Sequence, residues 1–215
     1  MKKENSISLY VAIGLLAVFI LWTALLCFAD VQAIGPEGSK VGLATVNLIF
    51  HQLTGVNMGL YELTDWLSLI PFGMMAGFAL LGLVQWIKGK QLRQVDYSLF
   101  VLGGFYVVVL GVYVLFEKVV INYRPILIEG VLEASYPSST TMLVLCVLPT
   151  TMLQLRTRIR HPLLKSLVLG ALALFAALMV IGRLISGVHW LTDIIGGTLL
   201  SAGLVMLYHY ISRQK

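Results

Sequence analysis

Charge is scarce in this chain. Asp, Glu, Lys and Arg make up only 12% of its 215 residues, 59% are hydrophobic, and the mean hydropathy is +0.91. So few charges cannot clothe a water-soluble domain of this size, so a polytopic membrane protein is implied instead. Cysteine is nearly absent too. Cys27 and Cys146 stand alone in apolar runs, which excludes a disulfide framework and a cysteine metal site and leaves them as small hydrophobes. Internal repeats, low-complexity tracts and composition shifts are also missing, so residues 1–215 read as a single domain. The formal net charge is +5, but in a membrane chain basic residues report topology first, and no nucleic-acid partner is expected.

What is present is a series of long apolar runs. About 20 apolar residues cross a bilayer as a helix. Six stretches qualify: roughly 6–28, 66–87, 97–116, 137–155, 164–185 and 191–211. The expected fold is all-α: an integral membrane bundle of six transmembrane helices. The first run is too long for a signal-peptide core and reads as a signal anchor and first span. The fourth is the least apolar, with hydroxyls in its first turn and Thr150-Thr151 further along. The fifth and sixth are joined by a very short link. Trp66 and Trp86 bracket the second as an aromatic belt would.

Sorting the basic residues orients the bundle. Lys2, Lys3, Lys88, Lys90, Arg93, Arg156, Arg158, Arg160, Lys165, Arg213 and Lys215 fall on one side, leaving Lys40, Lys118, Arg124 and Arg183 on the other. The positive-inside rule then puts both termini in the cytoplasm. Between the first two spans, Gly35-Pro36-Glu37-Gly38-Ser39 forms a turn cluster with Ser39 as an N-cap. Leu43, Val46, Phe50 and Leu53 follow at helical spacing, with Asn47, His51 and Gln52 between them. This predicts a short amphipathic helix lying at the outer interface, with His51 as an interfacial polar residue.

Polar residues at a membrane edge are costly and mark function. Three clusters fall on the outer side: Glu117 to Pro125, Tyr136 to Thr141, and Gly182 to Asp193. Together they hold arginines, a lysine, hydroxyls, a histidine and an aspartate, an inventory suited to a phosphate. Arginine forks bind phosphate oxygens in pairs, and a helix N-terminus adds backbone N–H donors. His189 and Asp193 are four apart and would share a helix face, the carboxylate orienting the imidazole. No second histidine or acid pair completes a metal ligand set around them. Because these residues lie at one membrane face rather than at the midplane, and no repeat symmetry exists, a transporter fits less well.

In order and spacing, Arg124-Pro125, Pro137-Ser138 and Arg183-x5-His189-x3-Asp193 on six spans resemble the type 2 phosphatidic acid phosphatase family. These are the membrane lipid phosphatases of the vanadium haloperoxidase superfamily. The third motif is the most specific. The resemblance implies a phosphohistidine mechanism without metal or cofactor. His189 would be the nucleophile and Asp193 its orienter. Arg124 and Arg183 would hold the phosphate oxygens, with Ser138, Ser139, Thr140 and Lys118 as further phosphate-binding groups. The implied partners are a lipid phosphate and the bilayer; the charge topology places the site on the extracytoplasmic face, and the small size and short loops suggest a plasma membrane.

The sequence departs from the family pattern at three places. Glu117 stands where the first motif has lysine, with Lys118 one position late. Gly182 stands where the third motif has serine, and Thr140 where the second has the histidine that protonates the leaving alcohol. A threonine hydroxyl does not act as a general acid near neutral pH, and losing such an acid costs about 10²–10⁴ in rate. One expectation is therefore a substrate with a weakly basic leaving group, such as an isoprenoid diphosphate. The alternative is a catalytically weak or inactive lipid-phosphate-binding protein. Glu133, Glu117 and Tyr136 are other candidate proton donors.

Overall fold

The computed structural model describes residues 2–214, with side chains from Ser6 onward. Of the charges used to orient the bundle, the Lys2 and Lys3 side chains and Lys215 therefore lie outside the described residues. Among the described residues there are eight α-helices: α1 Lys2–Phe28, α2 Ala44–Thr54, α3 Met58–Leu67, α4 Leu69–Gly89, α5 Tyr97–Lys118, α6 Ser139–Arg158, α7 Pro162–Ile185 and α8 Leu191–Ser212. Among the described residues the only extended pairing is three isolated antiparallel bridges.

Among the described residues five helical segments are long and apolar enough to cross a membrane: Ser6–Phe28, Met58–Gly89, Tyr97–Lys118, Pro162–Ile185 and Leu191–Ser212. The 32-residue segment exceeds what a bilayer needs. It is broken at Ser68 between α3 and α4. Pro71 accounts for the break: it has no N–H, and its ring clashes with the carbonyl of Leu67 four residues earlier. The second span is thus α4, and α3, which carries Glu62 and Asp65, precedes it as a separate element. Outward-facing Ile20, Leu80, Val107, Leu167 and Leu174 give the bundle an apolar exterior.

The sixth expected span, α6, is 20 residues long, about 30 Å at 1.5 Å per residue, but it is not apolar enough to qualify by composition. Its position explains why. It packs against α4, α5, α7 and α8, and most of its residues are buried. A helix walled by protein need not be greasy on every face, provided its polar groups are paired. Thr150 Oγ1 donates to the carbonyls of Cys146 (2.7 Å) and Val147 (3.0 Å) beside Pro149. Tyr106 Oη lies 3.3 Å from the same hydroxyl. Hydroxyls of this kind are what make an intramembrane proline tolerable.

The expected amphipathic helix is α2, but it begins at Ala44, after Leu43 in a left-handed conformation. Ser39 instead ends the short turn Pro36–Gly38. Val46 and Leu53 face outward, while Asn47 is fully buried. Asn47 Nδ2 donates to Gly42 O and Thr192 Oγ1 (both 2.9 Å), and its Oδ1 accepts from Thr192 N (3.2 Å). One asparagine thus ties the interfacial helix to the start of α8, and the apolar residues of α2 are left to the surroundings. His51 is half-buried with its ring centroid 5.4 Å from that of Trp190, and burial lowers its pKa.

Candidate active site

Three connections at one end of the bundle build the site. The first, between α5 and α6, is a β-hairpin. Ile128 and Val131 exchange both backbone hydrogen bonds across Glu129 and Gly130, which have φ of 50° and 78°. Positive φ at both central positions is the pattern of a tight type I′ turn, for which glycine is suited. The hairpin pairs Tyr123 with Ala134, and Arg124 N donates to Glu133 O (3.0 Å). It thereby sets Arg124, from the first motif, beside the residues that precede α6.

The second connection starts α6. Ser138 is the N-cap: its hydroxyl accepts from Thr141 N (3.5 Å), and its own N–H donates to Asp193 O (3.1 Å). It is fully buried and faces inward, whereas Ser139 and Thr140 line the cleft described below. Tyr136 also turns inward. Its hydroxyl lies 2.7 Å from Thr23 Oγ1, its ring stacks on Phe19, and Gly196 leaves room for it. It does not line the cleft.

The third connection, Ser186–Trp190 between α7 and α8, carries His189. Gly187 has φ of +68°, and a Cβ there would collide with Gly55 O. Ser186 O accepts from Asn57 N (2.9 Å). The link is thus pressed against the link between α2 and α3. His189 precedes α8 rather than sharing a helix face with Asp193, which caps that helix by accepting from Trp190 N (2.9 Å). His189 and Asp193 are 3% and 0% exposed.

The expected contact between them is correspondingly indirect. His189 Nδ1 and Asp193 Oδ2 are 3.8 Å apart, beyond hydrogen-bond reach. Ser135 lies between them. Its Oγ is 3.0 Å from His189 Nδ1 and donates to Asp193 Oδ2. Asn122 Nδ2 approaches the other carboxylate oxygen at 3.4 Å. On the far side of the ring, Arg124 Nη1 is 3.4 Å from Nε2. Burial first, then the guanidinium charges of Arg124 and Arg183, hold the His189 pKa well below the usual imidazole value. The ring is therefore neutral at neutral pH.

Arg183 is held by α3. Its guanidinium donates to Tyr61 O, Thr64 Oγ1 and Asp65 Oδ1, each at 3.2 Å, and lies 4.6 Å above the Tyr61 ring. Arg124 approaches the same ring at 5.6 Å, and its Nε is 3.0 Å from Glu133 Oε2. Tyr61, Thr64 and Asp65 stand at i, i+3 and i+4 on one helix face, a spacing that could have flagged them as one polar cluster. Ser135 carried no such signal.

Arg124 and Arg183 open onto a cleft of about 490 Å³ also lined by Glu133, Glu117, Asp65, Tyr113, Ser139 and Thr140; His189 does not line it and sits buried against Arg124. Both arginines share it. Lys118 is exposed at the end of α5 and does not line it, whereas Glu117 does. Asp65, Tyr113, Ser139 and Thr140 also border a second cleft of about 340 Å³, walled by Phe72, Val109, Leu110, Met142 and Leu143. Among the described residues no group of three or more His, Cys, Asp or Glu could hold a metal ion.

The arrangement is that of a buried histidine beside two arginines at one end of an all-helical membrane bundle. The PAP2 superfamily profile matches residues 73–215, and the chain belongs to that family. The matched region begins after α3, so the side chains that hold Arg183 lie outside it. No curated protein matches the chain. Its fold is similar to that of a transmembrane PAP2-type phosphatidylglycerolphosphate phosphatase from Bacillus subtilis. The TM-score is 0.62 at 20% identity, over 96% of this chain and 98% of that one.

Proposed function

We propose that this protein is a lipid phosphate phosphatase working through a phosphohistidine on His189, in a single membrane domain. The adjacency of the two clefts carries the reading. A polar cleft with two arginines adjoins, sharing Asp65, Tyr113, Ser139 and Thr140 as lining, an apolar one of a size to take the start of a lipid tail. A substrate with its phosphate at Arg124 and Arg183 would lay its hydrocarbon along Phe72 and Leu143.

Arg124 lies against His189 Nε2. Phosphate oxygens would draw the guanidinium onto themselves and leave the ring nitrogen facing phosphorus. The Nε2 lone pair then forms the N–P bond, and the bridging P–O bond breaks with its electrons on the leaving oxygen. Water attacks next, the N–P pair returns to Nε2, and the water proton leaves with the phosphate. Both arginines oppose the charge on the equatorial oxygens in each step.

Thr140 borders both clefts, where the second motif would supply its acid. This favours a diphosphate, whose leaving group is a phosphate ester needing little protonation, and an isoprenoid diphosphate is the preferred substrate. We assign the site to the extracytoplasmic face of a plasma membrane, with both termini cytoplasmic, on the charge distribution. The reaction needs no metal. The test is phosphate release by purified protein, in chelator, from an isoprenyl diphosphate and from phosphatidic acid. Release without metal, faster from the diphosphate and abolished by His189→Ala, is expected. Full activity of that variant would sink the assignment. Inertness of the native protein toward both substrates, with activity gained in Thr140→His, would favour a lipid-phosphate-binding role.

A further inference from the structure

Ser135 is buried, is pinned by donation of its N–H to Asn122 O (2.9 Å), and reaches both members of the His189–Asp193 pair. A hydroxyl has one proton and two lone pairs. Here the carboxylate, the stronger acceptor, takes the proton. The oxygen must then accept from His189 Nδ1, which makes Nδ1 the protonated nitrogen and leaves the lone pair on Nε2. Arg124, which can only donate, sits at that second nitrogen and agrees with this tautomer.

We infer that Ser135 is a positioning residue through which Asp193 acts on His189: it fixes the Nδ1–H tautomer and passes the carboxylate's charge to the ring. The inference rests on the phosphohistidine reading above. When Nε2 bonds to phosphorus, the ring becomes cationic while Nδ1 keeps its proton. The Ser135 hydroxyl, polarised by Asp193, opposes that charge. No proton crosses Nδ1 at any stage, so the relay resets by itself when water releases the phosphate.

The experiment is a double-mutant cycle on the detergent-purified full chain, with phosphate release from an isoprenyl diphosphate as readout and thermal unfolding as the check on folding. Ser135→Ala should lower kcat about 10²- to 10³-fold with little change in KM, as expected when an orienting group is lost. Ser135→Thr, which keeps the hydroxyl, should recover most of that loss. Ser135→Cys, close to serine in size, stands in if the threonine variant unfolds. Asp193→Asn in the Ser135→Ala background should cost no more than about threefold beyond Asp193→Asn alone, because both act through one path. Penalties that multiply, or a Ser135→Ala enzyme at the native rate, would overturn the relay. His189→Ala is run in parallel. If it still turns over, the phosphohistidine reading fails whatever Ser135 does. If it is dead while the Ser135 penalties multiply, only the relay fails.

Discussion

Arg124 Nη1 lies 3.4 Å from His189 Nε2, on the opposite side of the ring from Ser135. A permanent cation therefore faces the nitrogen that must stay unprotonated. Burial is the larger cause of the lowered His189 pKa, and Arg124 and Arg183 add to it. The reactive form is the neutral one, so activity is present above the folded-state pKa and lost as pH falls through it. With that pKa well under the usual imidazole value, the native enzyme should keep its rate at weakly acidic pH. In Arg124→Gln the acid limb of the kcat profile should move to higher pH, alongside a loss in kcat/KM of about 10²–10³. An unmoved limb would contradict the electrostatic assignment.

Thr140 stands at the junction of the two clefts. Thr140→His should raise turnover of a lipid phosphate monoester far more than that of a diphosphate, with about 10²–10⁴ as the range a general acid can supply. The ratio of the two rates, measured in one preparation, is the quantity to follow. Equal gains on both substrates would count against the leaving-group argument.

Asp65 is an exposed partner of the buried Arg183, whose guanidinium also has Tyr61 O and Thr64 Oγ1. Such a half-solvated ion pair contributes little to stability, typically about 0–1 kcal/mol. Asp65→Asn should therefore leave the unfolding temperature almost unchanged. It should also tighten inhibition by inorganic phosphate several-fold, since no carboxylate then competes for the guanidinium. Weaker phosphate inhibition would show instead that Asp65 orients Arg183 productively.

Gly187 combines positive φ with a closely approaching carbonyl from Gly55. Gly187→Ala adds left-handed strain to a steric collision, and destabilisation of about 2 kcal/mol or more is expected. Since this link carries His189, activity should fall along with the unfolding temperature. A stable, fully active alanine variant would mean that the two links need not touch.

The parts of this site legible in the sequence were those written locally. Arg183, His189 and Asp193 lie within 11 residues, and the link between α7 and α8 falls where the two apolar runs stop. The second span was harder to place because α3 is apolar enough to merge with α4, and Pro71 marks the break only once the helices are seen. The supporting groups were hidden because they pair over long stretches of chain. Ser135 reaches residues 54 and 58 positions away, and Thr64 reaches one 119 positions away. Periodicity reads which face of a helix is apolar, not which loop will lie beside it. Asn47 shows the same limit: its neighbours Val46 and Phe50 define the amphipathic pattern, yet the polar side chain is the one that is buried.

The polar composition of α6 also bears on how the protein is made. A helix with so many hydroxyls partitions into lipid less readily than α1, α5 or α7, which are more apolar. It is therefore expected to enter the bilayer together with α7 and α8, its principal packing partners. Ser139 and Thr140 ride on its first turn, and Ser138 caps it against the start of α8. The cleft therefore depends on α8 as much as on α6, and a chain cut off before α8 would have apolar anchors but no chamber for phosphate.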